Sequence, residues 1–295
     1  MNLGFVGLGI MGRPMALHLL AAGHAVACFS RRAVSMQPVV AAGATACTSP
    51  ADVARRADIV FTMVPDTPDV QQVILGADGI VQTARAGSVV VDMSTITPQA
   101  TREMAAALAE RGVGMLDAPC SGGEGGAIAA KLSIMVGGKR EVFDRVRPLF
   151  EHLGTTITHI GASGAGQVAK ACNQIVGAVT MEAVAEGLNL ARRNGVDPAR
   201  VRAAMLGGFA RSRMLELAGE RMIGRDFAPG FRAQLHAKDL DIAMRTAYQL
   251  GLALPQAALV AQHLNALVGG GGGELDSSAL ITVLERMAGE QVDPP

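Results

Sequence analysis

The sequence has no excess of charge of either sign. Its 26 lysine and arginine residues balance 26 aspartate and glutamate residues, and it has neither a long basic run nor an acidic tail. Attraction to nucleic acid or to an anionic membrane depends on a positive field. We therefore expect no nucleic-acid partner and no membrane partner.

Long apolar runs are missing as well. No stretch approaches the roughly 20 apolar residues of a membrane-spanning helix. The apolar N-terminus is interrupted by Gly4, Gly7 and Gly9 and is followed by Arg13 and Pro14. A secretory signal would need a basic region before its apolar core, which is absent here. These features predict a cytoplasmic protein.

Cysteine is scarce and histidine is scattered. The four cysteines, Cys28, Cys47, Cys120 and Cys172, form no CxxC pair and are too few for a disulfide scaffold in a chain of this size. Cys120 precedes glycines, but no neighbouring histidine or asparagine could activate it as a nucleophile, so we interpret it as a small apolar residue. None of the six histidines has metalloenzyme spacing, and we expect no metal.

The chain does have enough length, 295 residues, and enough apolar residues, 49%, for two cores. Its first half alternates short apolar strands with amphipathic helices, which is typical of a parallel sheet covered by helices on both faces. We expect strands at residues 3–8, 25–30, 58–64, 88–94, 115–119, 132–136 and 155–160. We expect helices at residues 12–22, 49–56, 98–111 and 141–152.

From residue 164 onward the pattern changes to long helical periodicities. The first helix would be about 45 Å long. We expect helices at residues 165–194, 198–206, 212–223, 234–250, 255–268 and 277–288, with the glycine run 269–273 as a flexible connector. The sequence thus predicts a doubly wound α/β domain over residues 1–163 and an all-α domain over residues 164–295, joined by a long interdomain helix.

A G-x-G-x-x-G motif directly follows the first predicted strand and opens a helix. It consists of Gly7, Leu8, Gly9, Ile10, Met11 and Gly12. In this context Gly7 permits a tight turn, Gly9 lets the backbone approach a pyrophosphate, and Gly12 allows close helix–strand packing. A glycine-rich turn without a ligand is the alternative. The motif predicts a Rossmann domain that binds a dinucleotide at the helix N-terminus.

The end of the second strand indicates which dinucleotide is bound. An acidic residue there would accept a hydrogen bond from a ribose 2′-hydroxyl, but this chain has Ser30, Arg31 and Arg32. Two guanidinium groups suit a 2′-phosphate, although either could simply face solvent. We expect NADP (NADPH) to be preferred, with NAD possible.

Further polar and backbone groups follow the other strands. Met63, Val64 and Pro65 follow the third, and Thr95 follows the fourth. Because ligands of such sheets bind beyond the carboxyl ends of the strands, we expect these residues to line the nicotinamide half of the site. Met63 could equally be a core residue.

The segment 117–123 lies at the same predicted edge. Ser121, Gly122 and Gly123 offer a hydroxyl and two unobstructed amides, which could hold a carboxylate or a developing alkoxide. An ordinary glycine-rich turn is the alternative interpretation.

The start of the long helix carries the candidate catalytic group. Lys170, Asn173 and Gln174 fall one turn apart on one helical face. A lysine among small and apolar residues is desolvated, which lowers its pKa toward the working pH and suits general acid–base chemistry. A solvated surface lysine is the alternative. Later in the chain, Lys238 could close over the cofactor and Asp239 could steady it, while we interpret His236 as structural.

Together, the residues 4–15, 117–123 and 164–174 and the pair Lys238-Asp239 resemble the β-hydroxyacid dehydrogenase family over essentially the whole chain. Residues 117–124 and 230–240 are most similar to its tartronate semialdehyde-reducing branch, and the 3-hydroxyisobutyrate dehydrogenase branch is next. The resemblance implies hydride transfer between the nicotinamide and a small semialdehyde, with a broader semialdehyde or glyoxylate reductase as an alternative.

The resemblance also implies residue roles. Lys170 would be the general acid in reduction, Ser121 with the Gly122 and Gly123 amides would hold the substrate, and Lys238 would contact the cofactor. The family often has asparagine four residues after the lysine, where this chain has Gln174 with Asn173 beside it, so either could contact the substrate. Association through the helical domains as a homodimer or homotetramer is expected. A non-catalytic NADP-binding sensor is the alternative from another class, but it would need neither Lys170 nor Ser121.

Overall fold

The computed structural model describes residues 1–290. By its internal contacts the chain divides into two compact units, Met1–Lys170 and Ala171–Pro295. This division falls inside the long helix, seven residues beyond the boundary expected between residues 163 and 164.

The first unit is built on one sheet. Its strands are β1 (Asn2–Val6), β2 (Ala25–Phe29), β3 (Thr45–Ala46), β4 (Ile59–Thr62), β5 (Val89–Asp92), β6 (Gly114–Asp117), β7 (Cys120–Ser121), β8 (Leu132–Gly138) and β9 (Gly154–Gly161). The central strands are apolar and buried on both faces, as expected for strands covered by helices on each side.

The order of the strands is that of a doubly wound fold. The sheet runs β3-β2-β1-β4-β5-β6-β8-β7, and β9 pairs with β8. The strands from β3 to β6 are parallel, whereas β8 is antiparallel to β6 and β7. The strand β2 lies on one side of β1, and β4 lies on the other side. This reversal of direction leaves a crevice at the carboxyl ends of β1 and β4.

Helices cover both faces of this sheet. They are α1 (Gly12–Ala21), α2 (Gln37–Ala41), α3 (Pro50–Arg56), α4 (Thr67–Leu75), α5 (Pro98–Ala109), α6 (Gly123–Ile128) and α7 (Arg140–Phe150). Several begin at a polar cap followed by proline: the side chains of Ser49, Asp66 and Thr97 each accept from an amide in the first turn. Two apolar cores result, one on each face of the sheet.

The second unit is helical. The helix α8 (Ala165–Arg193) begins in the first unit and continues into the second, where α9 (Pro198–Leu206), α10 (Arg213–Gly224), α11 (Ala233–Gln249), α12 (Pro255–Gly269) and α13 (Ile281–Met287) follow. Their apolar faces form a separate core around Met181, Leu240 and Leu264. A buried polar pair crosses this core, since Glu182 Oε1 lies within hydrogen-bond distance, 2.6 Å, of His263 Nδ1. The expected order, a Rossmann-like α/β domain followed by an all-α domain, is confirmed.

Some local expectations were wrong or incomplete. The glycine run 269–273 is a structured turn, because it ends α12 and contains a 3-10 turn in which Gly272 is buried against Leu267. The last predicted helix begins as a 3-10 turn, Ser277–Leu280, before α13. The helices α2, α4 and α6 were not expected. Within residues 1–290 no helix is both long and apolar enough to cross a membrane.

Candidate functional site

The glycine motif forms a tight loop between β1 and α1. Gly7 has a φ of +96°, and a Cβ there would lie 2.2 Å from the carbonyl oxygen of Met63. A Cβ on Gly12 would lie 2.0 Å from the Gly7 oxygen. A Cβ on Gly9, in contrast, would meet no atom within 4 Å. Gly7 and Gly12 are therefore required by packing, whereas Gly9 keeps an open surface beside the helix start.

This open surface fits the pyrophosphate of a dinucleotide. Among the described residues, no side chain caps α1 and no acidic residue lies in its first turn, so its amides and positive dipole end are left for an anion. Ile10 is exposed and Met11 half-buried, but the Leu8 side chain is buried in the core. Leu8 could thus meet a cofactor only through its backbone.

The second strand brings Ser30, Arg31 and Arg32 next to this loop. Phe29 pairs with Val6 in register, and the Gly7 amide donates to the Phe29 carbonyl. Both arginines are exposed. The Arg31 guanidinium lies 3.0 Å from the carboxylate of Asp69 in the first turn of α4, a partner that sequence reasoning missed.

Two further strand ends complete this edge. Met63, Val64 and Pro65 follow β4, and Thr95 follows β5; all four are partly or fully exposed. The Val64 amide donates to Ser94 Oγ at 3.0 Å, which joins the two segments. The expected nicotinamide-lining residues therefore lie on adjacent, hydrogen-bonded loops.

Beneath them lies a fully buried acid. Asp92 Oδ1 accepts from Thr62 Oγ1 at 2.7 Å and from the Ser94 amide at 3.2 Å. Burial raises the pKa of Asp92 to about 6, against the opposing effect of these hydrogen bonds. Sequence reasoning missed Asp92, although an acid that directly ends an apolar strand was a visible signal.

The candidate substrate loop leaves β6 through β7. Ser121 is half-buried, and Gly122 and Gly123 have φ values of +138° and +61°, which only glycine adopts readily. Burial raises the pKa of the Cys120 thiol to about 11, and the opposing charge of Lys170 lowers it. A nucleophilic Cys120 is therefore disfavoured.

Lys170 lies in the second turn of α8 and is only 7% exposed. Its location excludes the interpretation as a solvated surface lysine. The start of its helix is anchored by Asp117, whose carboxylate accepts from the amides of Gly164 and Gln167 at 2.8 and 3.0 Å. Burial raises the pKa of Asp117, and these hydrogen bonds oppose the shift. Sequence reasoning had not assigned Asp117 or Gln167.

The second unit holds the remaining candidates in a polar cluster. Asp239 is buried and accepts from Gln174 Nε2 at 2.7 Å, while the Lys238 ammonium lies 2.9 Å from its other oxygen. Asn173 Nδ2 donates to Gln174 Oε1 at 2.8 Å. His236 is buried 5.2 Å from the Phe231 ring, in keeping with its structural interpretation.

Metal ligands are not grouped in the part of the chain that the structure describes. Within residues 1–290, no set of three or more histidine, cysteine, aspartate or glutamate side chains is arranged to hold an ion.

Comparisons with known proteins match this geometry. Residues 2–161 match the NAD binding domain of 6-phosphogluconate dehydrogenase, and residues 164–284 match the NAD-binding domain of NADP-dependent 3-hydroxyisobutyrate dehydrogenase. The two matches meet close to the start of α8 and cover both units.

Whole-chain relatives extend the match. The 2-hydroxy-3-oxopropionate reductase of Escherichia coli is 47% identical over 99% of this chain and 100% of its own length. The 2-(hydroxymethyl)glutarate dehydrogenase of Eubacterium barkeri is 38% identical over 99% of this chain and 97% of its own. The solved 3-hydroxyisobutyrate dehydrogenase of Mycobacterium tuberculosis with L-serine is 33% identical, with a TM-score of 0.89 over 96% of this chain and 98% of that one.

The glycine loop fits a dinucleotide, the matched domains bind a nicotinamide cofactor, and the relatives are dehydrogenases and reductases of small hydroxy acids. On this evidence the chain is an oxidoreductase that belongs to the NAD(P)-dependent β-hydroxyacid dehydrogenase family.

Proposed function

We propose that this enzyme reduces tartronate semialdehyde (2-hydroxy-3-oxopropionate) to glycerate with NADPH, with Lys170 as the proton donor. The observation that carries the proposal is the burial of Lys170 on the helix that Asp117 joins to the strand leading to Ser121. Identity of 47% over the full length of a 2-hydroxy-3-oxopropionate reductase supports this choice of substrate.

The proposed chemistry is a hydride transfer coupled to a proton transfer. When bound, NADPH would supply the hydride that the aldehyde carbon of the substrate accepts. The Lys170 ammonium donates a proton to the carbonyl oxygen, which becomes the new hydroxyl group, and the neutral amine then regains a proton from solvent. Because the ammonium is screened from water, its charge stabilises the developing alkoxide more strongly than a solvated lysine would.

The substrate carboxylate would be held by Ser121 and its glycines. The Ser121 hydroxyl and the amides of Gly122 and Gly123 can each donate to a carboxylate oxygen. Both glycines have positive φ values, so the loop presents backbone where other residues would place a side chain.

Preference for NADPH would come from the second strand. Ser30 carries no negative charge to repel a 2′-phosphate, and Arg31 and Arg32 can donate to it. Gly7 to Gly12 would hold the pyrophosphate, and Met63, Val64, Pro65 and Thr95 would line the nicotinamide.

Lys238 is proposed as a further cofactor ligand, held by Asp239. The Gln174 amide braces Asp239 from α8, which gives Gln174 a role in the placement of Lys238. Asn173 next to it is then the stronger candidate for a substrate contact, although Gln174 stays in the proposed set.

Association as a homodimer or homotetramer is also proposed. Several large apolar side chains of the second unit are exposed, namely Val176, Leu190, Phe209, Tyr248 and Leu250, and burying them between subunits would stabilise an oligomer. Light scattering coupled to size-exclusion chromatography would measure the molar mass of the particle in solution. A monomer at micromolar concentration would contradict the proposed association.

The substrate is tested by initial rates of NADPH and NADH oxidation with tartronate semialdehyde, methylmalonate semialdehyde, succinic semialdehyde and glyoxylate in parallel. We expect the highest kcat/KM for tartronate semialdehyde with NADPH. Preference for methylmalonate semialdehyde would assign the 3-hydroxyisobutyrate activity instead. Binding of NADPH without turnover of any aldehyde would support a cofactor sensor.

A further inference from the structure

We propose that Asp117 and Gln167 are positioning residues that set where Lys170 lies relative to the substrate loop and the nicotinamide loop. The inference rests on the proposed function, in which Lys170 donates the proton. Both side chains are only 1% exposed, and neither belongs to the groups assigned to substrate or cofactor.

Asp117 acts as the N-terminal cap of α8 from a distant strand. The first amides of a helix lack partners inside the helix, and here those of Gly164 and Gln167 donate to the two carboxylate oxygens at 2.8 and 3.0 Å. A negative charge at this position stabilises the positive end of the helix dipole. Since Asp117 ends β6, it fixes the start of α8 to the strand that leads to Ser121.

Two glycines make this close approach possible. A Cβ on Gly137 would lie 2.5 Å from Asp117 Oδ1, and a Cβ on Gly166 would lie 2.4 Å from the Met135 carbonyl oxygen. Any side chain at either position would push the helix start away from β6 and β8. The carboxylate is thus enclosed by backbone, which leaves little freedom for α8 to shift.

Gln167 ties the same helical turn to the loop after β5. Its Nε2 donates to the Ser94 carbonyl at 2.8 Å, and its Oε1 accepts from the Ile96 amide at 3.2 Å. The two bonds bracket Thr95, the proposed nicotinamide contact. Both partners are backbone groups of buried residues, and leaving a buried donor or acceptor without a hydrogen bond is costly.

Lys170 therefore lies one turn beyond two anchors that hold three segments together. The end of β6 sets its distance to Ser121, and the loop after β5 sets its distance to Thr95. A shift of about 1 Å in a catalytic group can lower a rate by about a hundredfold, whereas cofactor binding at the distant glycine loop would be little affected.

The test is Gln167→Met, which keeps the side-chain volume but removes both hydrogen bonds. Three quantities are compared with wild type: kcat for the aldehyde that wild type reduces fastest, Kd for NADPH from its fluorescence, and the pH-dependent rate at which an amine reagent labels Lys170, read by mass spectrometry. Gln82→Ala is the matched control, because Gln82 Nε2 also donates to a carbonyl, that of Gly76, but away from the site.

We expect kcat to fall at least about tenfold, Kd for NADPH to change by less than about twofold, and the Lys170 labelling profile to shift. Unchanged kcat and unchanged labelling in folded Gln167→Met would overturn the proposal. If wild type reduces no aldehyde, the proposed function fails separately, and the labelling profile alone decides whether Gln167 positions Lys170.

Asp117→Asn provides a second variant that preserves size if the first does not fold. Asparagine can accept from one helix amide, but its own NH₂ group opposes the other. We expect kcat to fall and the Lys170 labelling profile to shift in Asp117→Asn. Both effects should be smaller than in Asp117→Ala, which is measured in parallel. The control is Asp197→Asn at the cap of α9, where Asp197 accepts from the Ala199 amide. Equal kcat and labelling in wild type and Asp117→Asn would contradict the role of Asp117.

Discussion

The backbone amide of Gln167 donates to Asp117 Oδ2 at 3.0 Å. This single bond joins the helix of Lys170 to the strand that leads to Ser121, and it connects segments that are 50 residues apart in the sequence. The proposed proton donor and the proposed substrate loop therefore share one buried anchor, and the proposed reaction depends on that anchor as well as on the groups that touch substrate.

The glycine loop offers a matched pair of substitutions. In Gly9→Ala the new methyl group meets open space, so we expect unchanged thermal stability but at least about tenfold weaker NADPH binding, because the methyl lies where the pyrophosphate must approach. In Gly12→Ala the methyl overlaps the Gly7 oxygen, and we expect the free energy of unfolding to fall by about 1–3 kcal/mol. Thermal melts and NADPH titrations distinguish the two; similar behaviour of both variants would show that the loop does not bind the cofactor as proposed.

Cofactor preference should move when the second strand end is changed. The double variant Ser30→Asp/Arg31→Ala adds a carboxylate and removes a guanidinium group that would donate hydrogen bonds to the 2′-phosphate. It also leaves the Asp69 carboxylate without its ion pair with Arg31. We expect the ratio of kcat/KM for NADPH to that for NADH to fall by about a hundredfold. Arg85→Ala, which breaks a similar exposed pair with Asp58 at 3.0 Å, should leave the ratio as it is. An unchanged ratio in the double variant would mean that the 2′-phosphate site lies elsewhere.

The buried carboxyl of Asp92 should make stability depend on pH. Its pKa rises from the ordinary value of 3.8 to about 6 in the folded protein, so the folded state holds a proton that the unfolded chain releases. The free energy of unfolding should therefore fall as pH rises from about 4 to about 6 on this account. Asp92→Asn removes this contribution.

Urea unfolding at several pH values measures the free energy of unfolding of wild type and of Asp92→Asn, and the difference between the two values gives the contribution of Asp92 at each pH. Asp117 also has a burial-raised pKa, and most of its contribution cancels because it titrates in both proteins; only its charge coupling to Asp92 stays in the difference. Parallel stability curves for the two proteins across this range would contradict the Asp92 assignment.

The helical unit depends on the Glu182–His263 pair. Burial raises the pKa of Glu182, and His263 opposes that shift. His263→Ala would leave a buried carboxyl group without this hydrogen-bond partner, and we expect the unfolding free energy to fall by about 1–3 kcal/mol at neutral pH. Adding Glu182→Gln should restore part of the loss, as urea unfolding of both variants would measure. A double variant that is less stable than His263→Ala would argue against the pair.

The sequence predicted those features that depend on local chemistry. The glycine motif between a strand and a helix identified the cofactor loop, and the small residues before Lys170 indicated its desolvation. The helix α6, in contrast, was missed because Gly123, Gly125 and Gly126 are poor helix formers; tertiary packing of Ala127 in the core stabilises it.

Contacts between distant segments could not be read from the sequence. The pairing of Arg31 with Asp69 and of Gln167 with Ser94 depends on which strands are neighbours and on the rotamers within the fold. The antiparallel direction of β8 could not be predicted either, because the apolar pattern of a strand is the same in both directions. Asp66 before Thr67 and Pro68 is the same cap-and-proline signal that identified α3, so the missed helix α4 could have been predicted from the sequence.

The most direct test of the account is the turnover of Lys170→Ala. With tartronate semialdehyde and NADPH, kcat and the NADPH dissociation constant are measured for this variant, for wild type and for Lys139→Ala, an exposed lysine before α7. We predict a fall in kcat of about a thousandfold or more for Lys170→Ala with cofactor affinity nearly unchanged, and wild-type values for Lys139→Ala. Retention of kcat without Lys170 would contradict its role as the proton donor.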